Sequence, residues 1–151
     1  MWELMAKEEK NSQQSNSPLS IVFADIDHFK RINDTFSHAV GDETLLAIAK
    51  VLTNSVPQWG SVSRWGGEEF VILLVNTDLI KAETVCQSIR TQIENYNWST
   101  IESELAVTAS FGVAQLMQNN SIEETLNSAD ELLYIAKKTG RNKVVAKLVI
   151  P

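Results

Sequence analysis

A single cysteine, Cys86, is the only thiol in this chain of 151 residues. One thiol closes no internal disulfide, so the fold does not rely on an oxidising compartment. Cys86 falls in the apolar spacing Ala82, Val85, Cys86, Ile89, Ile93, which predicts a buried, inert side chain. Long hydrophobic runs are missing too. The longest, Phe70 to Val75, is far short of the roughly 20 residues that span a bilayer. The N-terminal MWELMAKEEK has no apolar stretch of signal-peptide type. These absences predict a soluble, cytoplasmic chain without membrane contact. Excess positive charge is also lacking: 13 Lys and Arg stand against 19 Asp and Glu, a formal net charge of -6. That argues against a broad nucleic-acid surface. It leaves room for a phosphate pocket, where local Lys and Arg or a bound cation reverse the field. Internal repeats and low-complexity tracts are absent.

The length suggests one domain spanning residues 1–151. Trp2 to about Lys10 reads as a short helix, followed by a polar loop from Asn11 to Pro18. LSIVFADID, Leu19 to Asp27, is a near-continuous apolar run, the mark of a strand buried on both faces. A helix over His28–Phe36 is followed by an interruption at Gly41 and Asp42, then a second helix from about Glu43 to Ser55. Ser61–Trp65 and Glu68–Val75 flank Gly66-Gly67, a hairpin pattern in which the glycines are expected to supply positive φ. A helix from about Asp78 to Tyr96 precedes a strand over Leu105–Met117, with Gly112 as a candidate bend. Ser121 and Glu124 form a capping-box spacing at the start of a helix that runs to about Thr139 and stops at Gly140. NKVVAKLVI, Asn142 to Ile150, reads as the last strand. The order α-β-α-α-β-β-α-β-α-β predicts an α/β sandwich, of palm or ferredoxin-like type, with a mixed sheet of about five strands flanked by helices.

Acidic residues gather at two of the predicted strand ends. Asp25 and Asp27 close the first strand, and Glu68 and Glu69 follow the glycine pair. If these strands are neighbours, the carboxylates converge, and converging carboxylates repel unless a cation lies between them. Oxygen ligands suit Mg²⁺ (or Mn²⁺), which commonly takes one or two carboxylates plus phosphate oxygens. A glycine pair lets a phosphate approach the backbone closely. Lys30 and Arg31 follow the first acidic cluster, and Lys137, Lys138 and Arg141 surround Gly140. The acids alone read equally as solvated turn residues, and the second basic group as compensation of a helix dipole. Together they resemble a triphosphate site in which a cation and Lys/Arg share the anionic load.

Three segments resemble the signatures of the GGDEF diguanylate cyclases, here in the GGEEF form. They are FADIDHFKRINDTFSHAVGDETL (Phe23–Leu45), RWGGEEF (Arg64–Phe70) and ADELLYIAKKTGRNKVV (Ala129–Val145). The resemblance covers residues 19–147, with the three blocks in order. It implies an Mg²⁺-dependent nucleotidyltransferase that condenses two GTP into cyclic di-GMP and two pyrophosphates as a homodimer, fused to sensor or regulatory domains. The alternative is a catalytically silent GTP-binding module that regulates a fused domain. By resemblance Asp25, Glu68 and the Ile26 carbonyl match the metal ligands, with Glu69 a further acid beside them. Glu68 also matches the general base and Lys30 the lysine that stabilises the transition state. Asn33 and Asp42 match the guanine readers and His38 a further substrate contact. Lys137 and Arg141 match phosphate contacts, and Gly66 and Gly67 form the turn that meets the substrate.

Three departures from the family pattern stand out. Pro57-Gln58-Trp59-Gly60 replaces an Arg-x-x-Asp pair that binds product, which implies no product inhibition through that loop. The segment D-x-L-T-G-L-x-N-R-R that begins the family pattern is not seen before MWELM. Ser37 stands where the family has Gly, a strained substitution only if φ is positive there.

Overall fold

The computed structural model of the chain describes residues 1–147. Its elements are α1 (Trp2–Ser15), β1 (Leu19–Ile26), α2 (Phe29–Thr35), α3 (His38–Ser55), β2 (Gly60–Gly66), β3 (Glu69–Val75), α4 (Leu79–Glu94), a 3₁₀ turn (Trp98–Thr100), β4 (Ala109–Gln115), α5 (Ile122–Lys138) and β5 (Val144–Ala146). The strands form one sheet in the order β2-β3-β1-β4-β5. Every contact is antiparallel except β4–β5, which is parallel. This is the predicted five-stranded mixed sheet with flanking helices.

All eight residues of β1 are buried, because it is the central strand and is covered on both faces. Its even-numbered side chains Val22, Ala24 and Ile26 pack with Ile48 and Leu52 of α3 and Cys86 and Ile89 of α4. Its odd-numbered side chains Leu19, Ile21 and Phe23 pack with Met5 of α1 and Leu126, Ala129 and Leu133 of α5. Alternation therefore sends Asp25, the next odd position, toward the α5 side. Cys86 is fully buried and its thiol is pushed up by burial, as expected of an inert core side chain.

Several boundaries differ from the sequence expectation. Helix α1 continues through Asn11–Ser15, where a loop was expected. The Ser15 hydroxyl bonds the Asn11 carbonyl (2.7 Å), and Asn16, at φ 57, caps the end. Polar residues thus satisfy their own backbone locally and weak propensity is overridden. Gly41 and Asp42 do not interrupt a helix; α3 is continuous from His38. Ser37 caps it, its hydroxyl accepting from the Val40 N–H (3.1 Å). With φ 177, Ser37 is extended and carries no strain. Strand β4 starts at Ala109 rather than Leu105, because Ile26–Ala109 is the last pair that β1 can make. Leu105 and Val107 are buried all the same. Gly112 serves close packing: a Cβ there would lie 2.0 Å from the Ala129 carbonyl oxygen and 2.4 Å from the Leu133 nitrogen. The last predicted strand is observed as Val144–Ala146, and its residues 148–150 lie outside the described residues.

The glycine pair corrects a mechanism. Neither Gly66 nor Gly67 has positive φ. Gly66 ends β2, pairing with Glu69, and Gly67 and Glu68 make the turn. Arg64 closes it, its Nε donating to the Gly67 carbonyl (2.8 Å), beside a register shift between Arg64 and Gly66. A Cβ on either glycine would meet nothing within 4 Å. Local packing does not require glycine at these positions, and the space beside this backbone is open.

Candidate active site

The end of β1 and the β2–β3 turn come together. Asp25 lies opposite Glu69 in the β1–β3 register, and the Ile26 N–H donates to the Glu68 carbonyl (3.3 Å). Asp25 is only 4% exposed, and Lys137 reaches from α5 to ion-pair with its Oδ2. Burial pushes the Asp25 carboxyl up, to about 6. The Lys137 hydrogen bond and charge pull it down, while the nearby Glu68 and Glu69 carboxylates push it up further.

That combination fits a hard divalent cation. A desolvated carboxylate beside two others holds excess negative charge that a cation relieves. Among the described residues no group of three or more His, Cys, Asp or Glu side chains is arranged to hold a metal ion. Lys137 supplies the positive charge at Asp25 instead.

A second group forms where α2 meets α3. Asn33 lies against Gly41; its Oδ1 would be 1.8 Å from a Cβ at that position, so glycine is what admits the amide. Asn33 Oδ1 is buried and has no hydrogen-bond partner among the described residues. A buried oxygen without a donor costs roughly 1–3 kcal/mol, so it is an acceptor in want of a ligand. Asp42, next to Gly41, is exposed and lines a groove of about 460 Å³. Leu45, Leu46, Ala49, Val62 and Phe70 give that groove apolar walls, and Arg64 stands at its edge. Asp42 and the hairpin residues Val62, Arg64 and Phe70 therefore share one groove, and Asn33 lies beside Gly41, the neighbour of Asp42.

The basic residues divide. Lys137 is half-buried and committed to Asp25. Arg141 is exposed, and its side chain makes no hydrogen bond or ion pair among the described residues. It follows a helix end of Schellman type: Gly140 has φ +124, and the Arg141 N–H bonds the Ala136 carbonyl (2.9 Å). Lys30 lies in the first turn of α2 and His38 opens α3; both are exposed and likewise uncommitted among the described residues.

Two contributors, Trp65 and Arg64, escaped the sequence reading of the site, and Asp27, grouped there with Asp25, has a different part from the one expected. Asp27 is buried and accepts from Thr108 Oγ1 (2.7 Å), Ser110 Oγ (2.7 Å) and the Asn142 N–H (2.9 Å). It is committed to neutral donors and not to a shared cation with Asp25. Trp65, beside the glycine pair, packs against Trp2 (centroids 5.2 Å apart) and Phe23 (6.2 Å). Arg64 holds the turn, as described. The contacts of Asp27 and Trp65 join segments distant in sequence, which no local pattern announces, whereas Arg64 bonds a residue only three positions away. In the loop that departs from the family pattern, Gly60 N–H bonds the Pro57 carbonyl (2.8 Å), and Trp59 Nε1 donates to Thr77 (3.2 Å).

Comparison with known proteins agrees with this fold. Residues 1–143 match the family model described as "Diguanylate cyclase, GGDEF domain". The chain is similar to diguanylate cyclase DgcM of Escherichia coli, 41% identical over 127 residues, covering 84% of this chain and 30% of DgcM. The chain spans about a third of the length of the curated relatives it matches. Among solved structures it is similar to the GGDEF domain of DgcB from Caulobacter crescentus in complex with c-di-GMP. The TM-score is 0.89 at 28% identity, covering 95% of this chain and 86% of that one. It is also similar to the active GGEEF domain of a diguanylate cyclase from Vibrio cholerae, with a TM-score of 0.88 at 32% identity, covering 95% and 94%. Among the described residues no helix is long and apolar enough to cross a membrane.

Proposed function

We propose that this chain, which belongs to the GGDEF family of diguanylate cyclases, condenses two GTP molecules into cyclic di-GMP and two pyrophosphates. The observation that carries the reading is the buried Asp25 carboxylate, set against Glu69 and the Glu68 turn at the edge of an open backbone.

In this reading Asp25, Glu68 and the Ile26 carbonyl hold Mg²⁺ (or Mn²⁺), with Glu69 beside them. Such an ion, when bound, polarises the α-phosphate and neutralises the departing pyrophosphate. Glu68 takes the proton from the ribose 3′-oxygen. Lys30 offsets charge that develops on the phosphoryl oxygens. Arg141 binds the triphosphate, and Lys137 joins it on leaving Asp25. The backbone at Gly66 and Gly67 lies open to the substrate. Asp42 accepts from the guanine N1 and N2 hydrogens, and Asn33 Oδ1 gains the donor it lacks. Adenine offers no matching donors, so it leaves these groups unpaired and is rejected. His38, at the head of α3, is a further substrate contact.

One domain holds one GTP, and the product joins two. Each 3′-oxygen must form its bond to the other nucleotide's α-phosphorus as that phosphorus loses pyrophosphate. Two copies therefore face each other with two-fold symmetry. In the full protein, a fused regulatory segment controls that encounter. The domain acts in the cytoplasm, where GTP is available.

The test is product formation from GTP and Mg²⁺, followed as cyclic di-GMP and pyrophosphate, at rising protein concentration. Glu68→Gln is expected to lower turnover by about 10²-fold or more while sparing the fold. GTP binding without turnover, even with two domains forced together, would assign the chain to the silent regulatory class instead.

A further inference from the structure

Three successive residues after α5 lie in the left-handed region: Gly140 (φ 124), Arg141 (φ 64) and Asn142 (φ 47). Glycine adopts such backbone readily, but two L-residues in a row do so only when their surroundings hold them there. The surroundings are specific. The Asn142 N–H donates to Asp27 Oδ2 (2.9 Å), and the Asn142 side chain accepts from Arg90 (3.0 Å) and donates to Glu94, both of α4. Asp27 is 5% exposed and also accepts from the Thr108 and Ser110 hydroxyls. Its own N–H bonds the Thr108 carbonyl (2.9 Å). One buried carboxylate thus ties the end of β1, the start of β4 and the α5–β5 turn.

We propose that Asp27 is a positioning residue that places Arg141 for the triphosphate, acting through the Asn142 backbone. Asp27 is two residues beyond Asp25 on the same chain segment, so this anchor sets the phosphate-side cation relative to the metal-side carboxylate. The inference rests on the reading of Arg141 as a phosphate contact. The role is one of hydrogen-bond geometry, not charge. An asparagine can present its oxygen to the Asn142 N–H and the Thr108 hydroxyl, and its NH₂ to the Ser110 oxygen.

The test is a double-mutant cycle on the whole chain, reading affinity for 3′-deoxy-GTP, which lacks the attacking hydroxyl, with thermal melting to confirm folding. Asp27→Ala and Arg141→Ala are each expected to weaken binding by roughly ten-fold, and the double variant to bind no worse than Arg141→Ala alone. Asp27→Asn is expected to stay within about three-fold of the unaltered chain, since its geometry can be conserved. Additive losses in the double variant, or Asp27→Asn as weak as Asp27→Ala, overturn the positioning role while leaving the Arg141 reading intact. Unchanged binding by Arg141→Ala overturns that reading and the inference together. If Asp27→Ala does not fold, Ser110→Ala replaces it in the same cycle, where a smaller loss that vanishes in the Arg141→Ala background supports the role and an additive one overturns it.

Discussion

Lys137 of α5 is ion-paired with Asp25 of β1 across 112 residues of sequence. Two groups that the proposed function assigns to the substrate and its cation are here bound to each other. With Asp25 almost wholly buried, the lysine is what keeps that carboxyl from rising further. Lys137→Met is therefore expected to move the Asp25 pKa above about 6, as read by carbon-13 NMR of the carboxyl in metal-free protein. It is also expected to weaken GTP binding by roughly ten-fold, the scale of one charge-assisted contact. An unmoved Asp25 titration would show that the pair does not govern this carboxyl.

The raised Asp25 pKa makes a stability prediction with a definite sign. The folded value, about 6, exceeds the ordinary 3.8, so the folded state binds more protons than the unfolded one between them. Stability must then fall as pH rises through that window and level off above it. The contribution of this nearly inaccessible group is about 3 kcal/mol across the window. Urea unfolding in chelator from pH 3.5 to 7 should show the decline in the unaltered chain and a flatter profile in Asp25→Asn. Parallel profiles would contradict the assignment.

Gly41→Ala separates binding from folding. The added methyl would sit 1.8 Å from Asn33 Oδ1, and the side chain must swing away. Within helix α3 alanine is favoured over glycine by roughly 0.5–1 kcal/mol, which offsets local crowding. The expected result is a melting temperature close to the original and a loss of about ten-fold or more in GTP affinity, the scale of a missing base contact. If affinity holds, Asn33 does not read the base.

Gly112→Ala should do the reverse. Its new Cβ would meet backbone atoms of α5, which cannot rotate aside as a side chain can. Overpacking of this kind costs roughly 1–3 kcal/mol or more, so the melting temperature is expected to drop by several degrees. A melt within a degree of the unaltered chain would mean that α5 slides freely on β4.

Much of the architecture was legible in periodicity. The apolar run of β1, the capping box of Ser121 and Glu124, and the helix face holding Cys86 all involve neighbours within a few residues. Local spacing is then sufficient information. The misreadings at Asn11–Ser15 and at Gly41–Asp42 came from the same source. Turn-favouring residues have weak helix propensity, but capping by Asn16 and Ser37 and the packing of Asn33 decide the outcome.

By itself, the sequence determined the order of the elements, the composition of the signatures and the acids and bases available for chemistry. Only the tertiary structure decided which of them meet: Lys137 with Asp25, Asn33 over Gly41, and Asp27 with the α5–β5 turn. Spacing along a chain records contacts within a strand or a helical turn. Contacts between segments a hundred residues apart depend on strand order, register and helix approach, which no local pattern encodes.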